Sequence, residues 1–308
     1  MAKQWLERYK PRDYKEELAK VMWMDMIDLR IDEENYSRKL KYTDLFITSD
    51  KKFYTEEEKK GSRFKQEVLD PLEAGELIWV NGKTKKKNIL KIQAGTRNVS
   101  IKDMTGDGLP DILVLTAQSR EGVSLFINKG EGKFMEKPIL LFDSVYGCSF
   151  MEVVDFNQDG KDDIIITNGD NADYSKTLKN YHGVHIFLND GRNNFKEKYF
   201  YPVYGATKTI ARDFDLDGDL DLAMIAFYAE PIMPQNESFL YFQNQGNLNF
   251  KVSNLNIPFG GRWMVMDAGD ADHDGDLDLM LGNFHFGAPK KGKVKPGLQL
   301  NYIENKIH

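Results

Sequence analysis

Short apolar runs recur along this chain, each bounded by acidic or glycine-containing turns. One set is Ile112-Leu-Val-Leu, Ile164-Ile-Ile, Leu222-Ala-Met-Ile and Leu279-Met-Leu. A second set begins at Phe126, Phe187 and Tyr241. Each of these runs into an Asn-x-Gly turn and then a Phe: Asn128, Gly130 and Phe134; Asn189, Gly191 and Phe195; Asn244, Gly246 and Phe250. Runs of this length between turn signals suit buried β-strands, although their period alone does not separate them from helix. The predicted unit reads strand, acidic loop, strand, long loop, strand, Asn-x-Gly turn, strand. Four antiparallel strands in one repeat of this size describe a β-propeller blade.

Fragments at both ends extend the pattern. Leu77-Ile-Trp79-Val-Asn81-Gly82 reads as the third strand of an earlier blade, and Tyr302-Ile-Glu-Asn305 as the third strand of the last. The fold class expected is all-β, a β-propeller of about five four-stranded blades over 43–308. The blades fall near 43–94, 95–146, 147–204, 205–259 and 260–308. The segment Tyr42–Thr48 is a candidate to complete the last blade and close the ring, because an open end would leave an unpaired edge. Lys51–Lys65 reads as a solvated loop. Residues 1–42 differ: Leu18, Val21, Met22, Ile27 and Leu29 stand at roughly helical spacing and predict a short helical cap or remnant.

The acidic loops carry the chemistry. They are Asp103-Met-Thr-Gly-Asp-Gly-Leu-Pro-Asp111, Asp155-Phe-Asn-Gln-Asp-Gly-Lys-Asp-Asp163, Asp213-Phe-Asp-Leu-Asp-Gly-Asp-Leu-Asp221 and Asp270-Ala-Asp-His-Asp-Gly-Asp-Leu-Asp278. Their first aspartates are 52, 58 and 57 residues apart, a repeat. Oxygen-bearing side chains fall at positions 1, 3, 5 and 9, with Gly at position 6, the spacing by which a short loop wraps a hard divalent cation. The expected ligands are Asp103, Thr105, Asp107 and Asp111; Asp155, Asn157, Asp159 and Asp163; Asp213, Asp215, Asp217 and Asp221; and Asp270, Asp272, Asp274 and Asp278. Position 7 (Leu109, Lys161, Asp219, Asp276) adds its carbonyl. Up to four Ca²⁺ ions are expected, with the first loop weakest because it has the fewest carboxylates.

The first three ligand positions also fit an EF-hand, which closes with Glu at position 12 between two helices. Position 12 here is Val114, Ile166, Met224 or Leu281, none of which can ligate. The closing carboxylate is position 9, and a strand-like run follows it. Isolated Asp-Gly turns are common in hairpins, but four in register are not.

Net charge is −6 over 308 residues. Four bound Ca²⁺ would bring it to about +2, so the acidity belongs to metal loops and nothing points to nucleic acid. The single Cys148 excludes an intramolecular disulfide and any Cys-based zinc or haem motif, and reads as a small buried hydrophobe. No apolar stretch is long enough to span a membrane, and no signal-peptide core is visible at the N-terminus.

The loops, their β context and the Asn-x-Gly…Phe turn resemble the FG-GAP/VCBS repeat family, whose repeat also builds the propeller of integrin α chains. The resemblance covers roughly residues 76–305. Asn168–Tyr174, Tyr181–Gly183 and Tyr201–Gly205 are similar to segments of bacterial secreted or surface proteins with these repeats. The family implies the propeller, calcium in the loops, an extracellular, periplasmic or cell-surface location, and recognition or adhesion rather than catalysis. Bacterial relatives often carry a cytochrome-like segment, but without Cys-x-x-Cys-His no haem is expected.

Blade geometry places calcium loops and Asn-x-Gly turns at one end, and the 2–3 loops and blade connections at the other. That second end gathers Arg97, Lys208, Arg262 and Trp263 about a mouth, with Tyr174, His182 and Tyr228 at its rim. Cations beside aromatic rings suit an acidic glycan or a carboxylate-bearing protein loop, although such cations also pair with neighbouring acids. His182 is the one candidate general base, and His185 reads as structural. No residue is assigned as catalytic. The alternatives are a polysaccharide lyase or glycosidase built on the same scaffold, and a purely structural repeat of a longer secreted protein.

Overall fold

The computed structural model describes residues 45–47, 53–55, 76–82, 85, 87–92, 95–117, 121–143, 145–170, 179–227, 237–254, 262–284 and 300–306. Among these residues there is no helix, and every regular element is a strand in an antiparallel sheet. β1 (Leu45–Ile47) pairs with β2 (Phe53–Thr55), and β3 (Glu76–Val80) with β4 (Lys87–Ile92). Three four-stranded sheets follow. The first holds β5 (Thr96–Lys102), β6 (Asp111–Thr116), β7 (Glu121–Asn128) and β8 (Phe134–Phe142). The second holds β9 (Cys148–Val154), β10 (Asp163–Asn168), β11 (Gly183–Asn189) and β12 (Phe195–Pro202). The third holds β13 (Ala206–Arg212), β14 (Asp221–Ala226), β15 (Phe239–Asn244) and β16 (Phe250–Ser253). A three-stranded sheet ends the series: β17 (Trp263–Gly269), β18 (Asp278–Asn283) and β19 (Leu300–Ile303).

The uninterrupted apolar runs have a physical cause. Strands β6, β10 and β14 are buried on both faces, so they need apolar side chains at every position rather than at alternate ones. Leu113 and Leu115 of β6 pack with Ile164 and Ile166 of β10. The intervening Ile165 faces the opposite way, against Leu222 and Met224 of β14. Ala223 and Ile225 in turn meet Leu279 and Leu281 of β18. Each run thus serves two cores, and the sheets stack face to face in chain order. Their first strands β5, β9, β13 and β17 are neighbours in that order.

The expected antiparallel four-stranded sheets are present, and no closed ring is seen among the described residues. Of the segment Tyr42–Thr48, the described residues Leu45–Ile47 are not part of the last sheet. These residues, β1, pair with β2, which lies inside the stretch read as a solvated loop. A hairpin partner a few residues away in sequence costs less loop-closure entropy than one hundreds of residues distant. The helical segment expected over 1–42 lies outside the described residues.

Candidate metal centre

Each acidic loop joins the first and second strands of its sheet, and position 9 opens the second strand. That aspartate is buried in all four sheets: Asp111, Asp163, Asp221 and Asp278. Its two oxygens are used in the same way each time. Oδ1 accepts the backbone N–H of the turn asparagine: Asn128 at 2.7 Å, Asn189 at 2.8 Å, Asn244 at 2.7 Å and Asn305 at 2.9 Å. Oδ2 accepts the N–H of loop position 2: Met104 at 3.0 Å, Phe156 at 3.1 Å, Phe214 at 3.2 Å and Ala271 at 3.0 Å. Three of the asparagines return the contact, Nδ2 donating to the position-8 carbonyl of Pro110, Asp162 or Leu220 at 3.0 Å. The loop and the Asn-x-Gly turn are therefore one wired unit at one end of each sheet.

Position 1 shapes the loop from within. Asp103 accepts the amides of Gly106 and Gly108, each at 2.8 Å, and the Gly108 amide leads in holding its carboxyl below the usual range. Asp155 and Asp213 likewise accept the amides of Gly160 at 2.8 Å and Gly218 at 3.1 Å. Position 4 is left-handed in every loop: Gly106 (φ 72°), Gln158 (59°), Leu216 (58°) and His273 (67°). Only the first loop supplies the glycine that such a backbone favours.

The loops differ in the oxygens they leave bare. In the third, Asp213 Oδ1, Asp215 Oδ1 and Asp219 Oδ1 are buried and accept no hydrogen bond. Anionic oxygens in that state are costly unless a cation answers them. Desolvation, then the charges of Asp217 and Asp221, raise the Asp219 carboxyl above its usual range. One oxygen each from Asp213, Asp215 and Asp221 lies within 4.8 Å of the others, and the same holds for Asp270, Asp272 and Asp274 in the fourth loop. These donors are hard carboxylates, closely spaced and of one sign, a set that fits Ca²⁺. The first loop has Thr105 and the second Asn157 at position 3, so each brings one carboxylate fewer to the same place.

At the opposite end the candidate ligand residues are dispersed. Arg97 donates to Asp170 Oδ2 at 2.6 Å. Lys208 Nζ donates to the Met266 carbonyl at 2.7 Å and lies 4.8 Å from the Phe150 ring centre. Trp263 is buried among Ile225, Phe239 and Leu281. His182 is wholly buried beside Gly147, and desolvation, then Lys179, hold its imidazole well below the usual histidine range. His185 is structural, bonded to Asn168 Oδ1 at 3.0 Å and Glu197 at 2.8 Å. Arg262 is exposed over the Phe227 ring at 5.6 Å, next to the exposed Phe284. Tyr174 and Tyr228 lie outside the described residues. Cys148 is buried, as its composition suggested.

Residues 103–166 and 213–281 each match the FG-GAP-like repeat family, and each match spans two acidic loops with the four strands between them. These two segments are similar to FG-GAP-like repeats. No curated protein matches the chain. Within each repeat the paired aspartate and asparagine were each visible in sequence, but their contact was not. Nothing local in Asp221 announces a bond to a residue 23 positions away.

Proposed function

We propose that this chain is a calcium-loaded, propeller-type recognition module, acting outside the cytoplasm on an acidic glycan or a carboxylate-bearing protein loop. The observation that carries the calcium reading is the group of bare, buried oxygens on Asp213, Asp215 and Asp219. Asp103, Thr105, Asp107 and Asp111, with their counterparts in the other loops, would hold the ions. A bound ion supplies charge neutralisation at the sheet end and no chemistry of its own. The wired position-9 aspartate passes that stabilisation to the Asn-x-Gly turn.

Recognition is assigned to the opposite end, where exposed Arg262 over Phe227, beside Phe284, offers a cation on an aromatic platform. His182 is buried and the Arg97 guanidinium is paired with Asp170, which favours binding over acid–base catalysis. The test is metal analysis of the purified chain, followed by glycan and protein binding screens with and without chelator. One to four Ca²⁺ per chain, and ligand capture lost in Arg262→Ala at unchanged melting temperature, support the proposal. Metal-free protein whose unfolding ignores EDTA overturns it. No helix among the described residues is long and apolar enough to cross a membrane.

A further inference from the structure

Two tyrosines separate the loops into classes. Tyr241 donates its hydroxyl to Asp221 Oδ2 at 2.6 Å, and Tyr302 donates to Asp278 Oδ2 at 2.8 Å. Each stands three residues before its turn asparagine, Asn244 or Asn305. The same position in the first two sheets holds Leu125 and Ile186, both fully buried and without a donor. We propose that Tyr241 and Tyr302 are positioning residues that fix the closing carboxylates of the third and fourth loops for a divalent cation, making these two the tight sites. This rests on the calcium reading above.

The argument is a lone-pair count. A carboxylate oxygen has two acceptor sites. Asp221 Oδ2 spends them on the Phe214 amide and the Tyr241 hydroxyl, while Oδ1 spends one on the Asn244 amide. One site on Oδ1 is left for a cation. Asp278 is held by the same three kinds of donor, Ala271, Tyr302 and Asn305, with the Asp272 amide in addition. The carboxylate cannot rotate without breaking a charge-assisted bond, so it is oriented before the cation arrives. Asp111 and Asp163 accept backbone amides at the same two places, Asp163 with a further one from Asn157, but no side-chain hydroxyl holds either group from across the sheet. The third loop has an additional anchor: Gln243 Nε2 donates to Asp215 Oδ2 at 2.7 Å, while Asp215 Oδ1 stays buried and bare. Groups that hydrogen-bond a metal ligand typically set affinity by ten- to a hundredfold.

The experiment is calorimetric Ca²⁺ titration of the full chain, wild type beside Tyr241→Phe, Tyr302→Phe and the control Tyr199→Phe. Melting in excess chelator runs in parallel. The expected result is about a tenfold or greater loss of affinity in one tight equivalent per loop variant. Stoichiometry is unchanged and the control matches wild type. A purely structural tyrosine would lower the melting temperature in chelator and leave Ca²⁺ affinity alone, and that outcome overturns the inference. So does unchanged affinity with unchanged melting. If the wild type itself takes up no Ca²⁺, the calcium reading has failed along with everything built on it. A wild type that binds, with variants that bind equally well, sinks only the role of the tyrosines.

Discussion

Asn193, in the turn of the second sheet, donates its side-chain amide to the carbonyl of Met104 in the first acidic loop at 2.8 Å. Asn305 makes the same reach from the last sheet to the carbonyl of Phe214 in the third loop, at 2.7 Å. Both carbonyls belong to loop position 2. The turn of a later repeat thus braces the acidic loop of the one before it, and Gln158 Nε2 bonded to the Gly218 carbonyl ties the second loop to the third.

Replacing Asn193 with Gly removes that brace, and with it the longer 3.3 Å bond that Asn193 Oδ1 accepts from Asn189 Nδ2, while keeping the backbone, because Asn193 has φ 57° and glycine accepts the same conformation. Urea unfolding should show a loss of about 1 kcal/mol, the usual net worth of one such bond. An unchanged midpoint would mean that the contact between sheets contributes nothing.

Leu216→Asn should stabilise the protein by about 0.5–1 kcal/mol. Leu216 is 54 % exposed with φ 58°, so its side chain gains little from packing while its backbone sits where a leucine is strained. Asparagine tolerates that conformation. The check is the denaturation midpoint of the substituted protein in chelator, where metal does not contribute.

Removing metal should lower the melting temperature markedly. An ion bound only by the folded chain contributes about 2.7 kcal/mol per site at a hundredfold excess over its dissociation constant. Asp217→Ala should cost more in calcium than Asp107→Ala, because the third loop has bare buried oxygens to neutralise. Equal losses in calorimetric melting would count against ranking the third loop above the first.

Burial raises the Glu237 carboxyl from 4.5 to about 7. A folded value above the unfolded one means that the fold prefers the neutral acid. That contribution is complete below about 4.5 and is lost as the pH rises through about 7. Glu237→Gln should therefore melt higher than wild type at pH 8, by up to about 3 kcal/mol. The gap should close as the pH falls towards 5. Paired melting curves across that range test the sign.

The strands and loops were legible because their signals are local. An apolar run that serves two cores needs no neighbour to declare it, and Asp-Gly spacing is written within nine residues. The candidate mouth was less legible. Whether Arg97 faces a ligand or Asp170 depends on a residue 73 positions away, and whether His182 is open or sealed depends on how Gly147 approaches it. The two tyrosines were overlooked for a related reason: Tyr241 stands in a strand pattern that would accept any large apolar side chain. Its hydroxyl matters only because Asp221 lies across the sheet.

The joint between the position-9 aspartate and the turn asparagine closes inside each repeat, while the repeats meet chiefly through shared apolar cores. Such an array can be lengthened or shortened by whole repeats without redesigning what remains. Each repeat brings its own clasp, and a new neighbour has only to supply a matching apolar face. Individual loops can then differ in their carboxylates, as the first differs from the third, while the hairpin that carries them stays shut.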